Sequence, residues 1–141
     1  MNRPASSGDF SERRVLRDQR TDIEEVQSEV AAQLARHGYE ETARFAIRLA
    51  LEEALTNAFR HGNKNDPNKA VHFRCRIDGA EAHFEVEDEG PGFDPKTVPD
   101  PTHDENIEIP SGRGLMLMKA YMTEVEYDPP GNRLKMMYRR A

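Results

Sequence analysis

Leu49-Ala-Leu-Glu-Glu-Ala-Leu-Thr-Asn-Ala-Phe-Arg-His-Gly62 decides how this chain is read. With about 100° per residue, the segment from about Glu41 to Arg60 is expected to form a helix with three stripes. Ile47, Leu51, Ala54, Leu55 and Ala58 make a core stripe. Arg44, Arg48, Glu52 and Thr56 make an outward stripe, with Arg48 and Glu52 at ion-pair spacing. Ala46, Ala50, Glu53 and Asn57 make the third, with His61 one turn beyond. The adjacent glutamates therefore separate: Glu52 joins the arginines, and Glu53 shares a face with Asn57 and two alanines. Small side chains there leave room for a ligand. An Asn oxygen is a hard ligand suited to magnesium, and a carboxylate one turn away can orient or deprotonate an attacking hydroxyl. An exposed helix face with an ordinary polar pair fits the same pattern, so this helix alone leaves both readings open. His61 fits a helix C-terminal cation.

Downstream, Val71, Phe73, Cys75 and Ile77 alternate with His72, Arg74, Arg76 and Asp78, the pattern of a half-buried strand. Asp78-Gly79 turns the chain, and Ala82, Phe84 and Val86 alternate in the return. Asp88 has the parity of those apolar residues. A carboxylate pointing that way needs donors or a cavity, and an adenine exocyclic amine is one such donor. Gly90 and Gly92 follow at once and allow the backbone to approach a flat ligand. Pro110-Ser-Gly-Arg-Gly-Leu115 then opens a helix to about Tyr121. Its free N–H groups make a phosphate cradle, and Arg113 adds a positive charge. A plain glycine-rich cap is the alternative. Residues 93–111 carry four prolines and no periodicity, and fit a lid.

The rest of the chain frames one domain. Its 141 residues suit a single core. The assignment is a flexible segment over 1–20, with a possible edge strand near Arg13–Asp18, and a domain over 21–141 with its lid at about 93–111. Thr21, with Glu24, is expected to cap a first helix carrying Ile23, Val26, Val30 and Leu34 and ending at His37-Gly38. Thr123–Tyr127 and Leu134–Arg139 are expected to close the chain as strands around Pro129-Pro-Gly-Asn132. A net charge of -6 argues against nucleic-acid binding, although residues 1–20 hold five Arg against three acids. No apolar run suits a membrane span and no apolar leader is seen, so a cytoplasmic location is expected. One cysteine excludes an internal disulfide, and the parity of Cys75 makes it a core residue.

Taken together, the motifs resemble the Bergerat-fold ATP-binding superfamily, called GHKL. Glu53-Ala-Leu-Thr-Asn57 resembles its N-box, Asp88-x-Gly90-x-Gly92 its first glycine box, and Gly112-Arg-Gly114-Leu115 its second. Within it, the wording of 53–62 and of Met122-Thr-Glu-Val-Glu126 is most similar to the bacterial anti-sigma factor serine/threonine-protein kinases. The resemblance implies an α+β two-layer sandwich, with a mixed, mostly antiparallel sheet covered on one face by about three helices. It implies ATP and Mg2+ as cofactors, Asp88 on the adenine, Asn57 on the magnesium and Glu53 as catalytic base. It assigns Gly90, Gly92, Gly112, Arg113, Gly114 and Leu115 to the nucleotide. It implies an anti-anti-sigma-like antagonist protein as substrate, a sigma factor or other regulator as partner, and a homodimer. Many members place a threonine after the glycine of the last hairpin; here Asn132 follows Gly131 and is expected to substitute as a polar contact. A non-catalytic, ATP-gated module that sequesters its partner needs the same pocket without Glu53, and the presence of Glu53 favours the kinase. A histidine kinase needs a phosphoacceptor on a preceding dimerisation helix, where only His37 stands.

Overall fold

The computed structural model describes residues 8–91 and 112–140, with the backbone alone for 112–115. Phe10–Leu16 (β1), Val71–Ile77 (β2), Glu81–Glu87 (β3), Glu124–Asp128 (β4) and Arg133–Arg139 (β5) form one sheet in the order β1-β2-β3-β5-β4. Gln19–Arg36 (α1), Glu41–Asn57 (α2) and Gly112–Tyr121 (α3) are its helices, with α2 packed between α1 and α3. This is the expected α+β sandwich, and its sheet is more uniform than expected: all four pairings among the described residues are antiparallel. A parallel neighbour needs a crossover that returns the chain to the same end of the sheet. Between β1 and β2 there are two helices instead of one, so β2 comes back in the opposite sense.

Strand register sorts the side chains. Val71, Phe73, Cys75 and Ile77 of β2 align with Ala82, Phe84 and Val86 of β3 and with Leu134 and Met136 of β5. All are buried with Ile47, Leu51 and Leu55 of α2 and Val26, Val30 and Leu34 of α1. Truncating a residue such as Leu51, 0% exposed, would cost about 2–5 kcal/mol. Burial pushes the Cys75 thiol up to about 12, with the negative charge of Glu12 adding to it, as suits an inert core residue. The outer face is charged: Glu85 lies opposite Arg74 and Lys135, and Glu81 opposite Arg139. Each such cross-strand pair is worth about 0.2–1 kcal/mol.

Two local expectations shift. The edge strand runs Phe10–Leu16, not Arg13–Asp18, and pairs along all of β2, so regular structure begins well before residue 21. Its inward positions include Glu12 and Arg14, which break the apolar alternation; Arg14 is satisfied by Glu25 of α1 at 2.8 Å. The cap of α1 is Asp18, not Thr21. Asp18 Oδ1 accepts the Thr21 N–H at 2.8 Å, and the Asp22 carboxylate accepts the N–H groups of Asp18 at 2.9 Å and Arg17 at 2.7 Å. Two carboxylates thus share the orphan donors at the positive end of the helix, which outcompetes a hydroxyl further along.

At its C-terminal end α2 widens into a π turn over Ala58–Gly62, closed by the Asn63 N–H to the Ala58 carbonyl at 2.9 Å. Gly92 and the lid expected at about 93–111 lie outside the described residues. Among those residues no helix is long and apolar enough to cross a membrane.

Candidate nucleotide-binding site

The third stripe of α2 divides along its length. Ala50 is sealed in the core at 0% exposure and so does not line an open surface as expected, whereas Ala46, one turn earlier, stays partly exposed. Glu53 is half-buried, and Asn57 is buried at the end of the helix. Among the described residues, Asn57 Nδ2 has no hydrogen-bond partner. A buried amide left this way costs about 1–3 kcal/mol. Its nitrogen and oxygen can be exchanged without change of shape, so the group can offer a donor or a hard oxygen to a ligand. Glu52 turns away as expected, toward α1, where Gln27 Nε2 donates to it at 3.2 Å.

The end of β3 meets the end of α2. A Cβ on Gly62 would stand 2.1 Å from Asp88 Oδ2, and one on Gly90 would stand 1.9 Å from the Gly62 carbonyl oxygen. Only glycines allow this approach of helix end, carboxylate and turn. Gly90 donates its N–H to Asp88 Oδ1 at 2.8 Å. Asp88 is half-buried, and that desolvation raises its pKa from 3.8 to about 6; the Gly90 hydrogen bond opposes the rise and Glu87 adds to it. A partly desolvated carboxylate is an avid acceptor for a ligand's N–H.

Two neighbours escaped the sequence reading, and a third takes a place other than the expected one. Tyr127, partly buried on the helix side of β4, has its hydroxyl pushed above its usual range by burial first and then by the charges of Asp88 and Glu53. It therefore lies within electrostatic reach of both carboxylates. The parity it shares with Val125 is the signal that could have found it. Asn63, 1% exposed, accepts the Glu89 N–H at 2.7 Å and donates to the Ala70 carbonyl at 2.9 Å. Asn132 also differs from its expected place as a ligand contact: its Nδ2 donates to the Asp88 carbonyl at 3.0 Å, so the amide is turned onto the protein. Gly112, Arg113, Gly114 and Leu115 open α3, as the motif predicts.

Glu53 and Asn57 on one helix face, with Asp88 and Gly90 joined to the end of that helix through Gly62, bring two carboxylates and an amide with no partner among the described residues to one meeting point of α2 and β3. Known proteins share this chain's pattern. It is 34% identical over 94 residues to the anti-sigma F factor of Geobacillus stearothermophilus, covering 65% of this chain and 64% of that relative. It is 35% identical over 95 residues to the anti-sigma F factor of Geobacillus thermodenitrificans and 33% over 81 residues to that of Anoxybacillus flavithermus, covering 56% of each chain. The chain thus spans less than two thirds of the length of these relatives. Residues 16–138, nearly all of the described domain, match the histidine kinase-like ATPase domain, and the chain belongs to that nucleotide-using family.

Proposed function

We propose that this chain is an ATP-dependent protein serine/threonine kinase of anti-sigma-factor type. It phosphorylates a small antagonist protein and thereby switches a partner such as a sigma factor. The observation that carries the reading is the buried Asn57 amide, without a partner among the described residues, one turn from Glu53 and next to the helix end that touches Asp88. The anti-sigma F factor names of its relatives support the biological class.

In this reading Asp88 accepts a hydrogen bond from the adenine amine, and Gly90 and Gly92 let the backbone lie close to the ring. Gly112, Arg113, Gly114 and Leu115 open α3 toward the phosphates, where N–H groups at a helix N-terminus suit an anion. The orphaned amide fits Mg2+, which Asn57 would hold and which would neutralise phosphate charge. Glu53 takes the proton of the substrate serine as its oxygen bonds to the γ-phosphorus; the bond from that phosphorus to the β,γ-bridging oxygen breaks and ADP leaves. The protein acts in the cytoplasm as a homodimer.

Transfer of radiolabel from ATP to a small antagonist protein of the anti-anti-sigma class tests the assignment. Glu53→Gln should bind Mg-ATP like the parent and transfer phosphate about 10²-fold more slowly, whereas Glu52→Gln should match the parent. Transfer by Glu53→Gln at the parental rate removes Glu53 as base. A parent that binds ATP and a partner but transfers nothing is an ATP-gated binding module.

A further inference from the structure

The turn that presents Asp88 is gripped from two sides by asparagines distant in sequence. On one side, the Asn132 carbonyl accepts the Asp88 N–H at 2.9 Å, and Asn132 Nδ2 donates to the Asp88 carbonyl at 3.0 Å. On the other, Asn63 Oδ1 accepts the Glu89 N–H at 2.7 Å while its Nδ2 donates to Ala70 at 2.9 Å. Within the turn, the Gly90 N–H goes to Asp88 Oδ1 at 2.8 Å. Both main-chain groups of Asp88 and the next two N–H groups are therefore taken up by the protein. Asp88 Oδ2 lies against Gly62, where even a methyl group would collide.

We propose that Asn63 and Asn132 are positioning residues. They fix the direction of the Asp88 carboxylate and so set the preference of the pocket for a purine bearing an exocyclic amine. The proposal rests on the nucleotide reading above. A carboxylate discriminates only if its lone pair is aimed before the base arrives; a loose turn would lose that freedom on binding and weaken the contact. Asparagine suits both places, because a short amide offers a donor and an acceptor at once. Asn63 uses both, bridging Ala70 to Glu89. Asn132 uses its side-chain donor on the carbonyl of Asp88, while its main-chain carbonyl accepts the Asp88 N–H. Both amides are engaged with protein groups, so their influence on the base runs through Asp88.

The test compares ATP with inosine triphosphate, which carries a carbonyl in place of the amine, by calorimetry on the full chain. The parent should prefer ATP. Asn132→Ala, at a partly exposed position, should weaken ATP about fivefold to tenfold, as for one lost hydrogen bond, and leave inosine triphosphate within about twofold. Asn63→Ala should show the same pattern from the opposite side. Because Asn63 is buried, each variant is first melted without nucleotide, and Asn132→Ala alone decides the outcome if Asn63→Ala does not fold. Equal loss of both nucleotides would make the asparagines merely structural, and unchanged ATP affinity in Asn132→Ala would remove their role; either overturns the proposal. A parent that binds both nucleotides equally overturns it too while leaving nucleotide binding intact. A parent that binds neither removes the nucleotide reading itself.

Discussion

Strand β3 is bracketed by two aspartates that do similar local work and differ in everything else. Asp78 Oδ1 accepts the N–H groups of Ala80 and Glu81 at 2.8 and 2.9 Å, and its other oxygen lies 3.8 Å from the Arg76 guanidinium. Around it the chain is closed off: Tyr39 donates its hydroxyl to the Asp78 carbonyl at 2.8 Å, and Arg140 stacks on the Tyr39 ring while donating to Gly79 and Gly38. Asp88 makes the same kind of turn with Gly90, but its other oxygen meets the Gly62 backbone, and the nearby Asn57 amide has no partner among the described residues. One end of the strand satisfies its polar groups internally and contributes stability. At the other the Asn57 amide is left without a partner among the described residues, at a cost to the ligand-free protein that a ligand can return.

The largest break in that contrast should come from Gly62→Ala. The added carbon would stand 2.1 Å from Asp88 Oδ2, so the helix end and the strand end must part. A thermal melt should show a loss of about 1–3 kcal/mol, and ATP affinity should fall below detection. Retained affinity would mean that the two ends need not touch.

Asp88→Asn should separate stability from binding. It can present a donor where an acceptor is needed, so ATP affinity should drop at least tenfold, about 1.4 kcal/mol. Without nucleotide the variant should be more stable than the parent at pH 7. The carboxyl rises from 3.8 to about 6 on folding, so the stability it supports is present below about pH 4 and is lost as pH climbs toward 6. Asparagine removes that loss, worth about 1 kcal/mol after solvent screening. Denaturation at pH 4 and pH 7 reads it: the parent should lose more stability than Asp88→Asn between the two.

The opposite end should answer in stability alone. Arg140→Ala should cost about 1–2 kcal/mol through its stacking and carbonyl contacts, and Tyr39→Phe about 0.5–1.5 kcal/mol through one hydrogen bond. Calorimetry on both should return the parental ATP affinity. A change there would mean that the two ends of β3 are coupled.

What the sequence made legible follows from how local each signal is. The stripes of α2 and the alternation of β2 and β3 repeat along a single segment and read directly. So did the inward parity of Asp88 and the Gly-Arg-Gly opening of α3. β1 hid because Glu12 and Arg14 hold inward positions at an edge, where a helix side chain can satisfy an arginine. The cap of α1 misled because two acids and a threonine compete within five residues. Asn63 and Asn132 act on residues 26 and 44 positions away. No spacing rule announces a partner at that range, and an asparagine beside a glycine reads as a turn until the fold closes.

The π turn from Ala58 to Gly62 is, in effect, one surplus residue wound into a helix. An α-helix rotates about 100° with every residue, so this surplus sets the angle between the face that carries Glu53 and Asn57 and the glycine that presses on Asp88. It works as a phase adjuster between two halves of the proposed nucleotide site, drawn from different elements. Lineages of this fold should therefore tolerate length changes in the exposed turn at 64–69, where added residues are absorbed by loop closure. They should not tolerate them between 58 and 61, where a single deletion would keep the composition and lose the alignment.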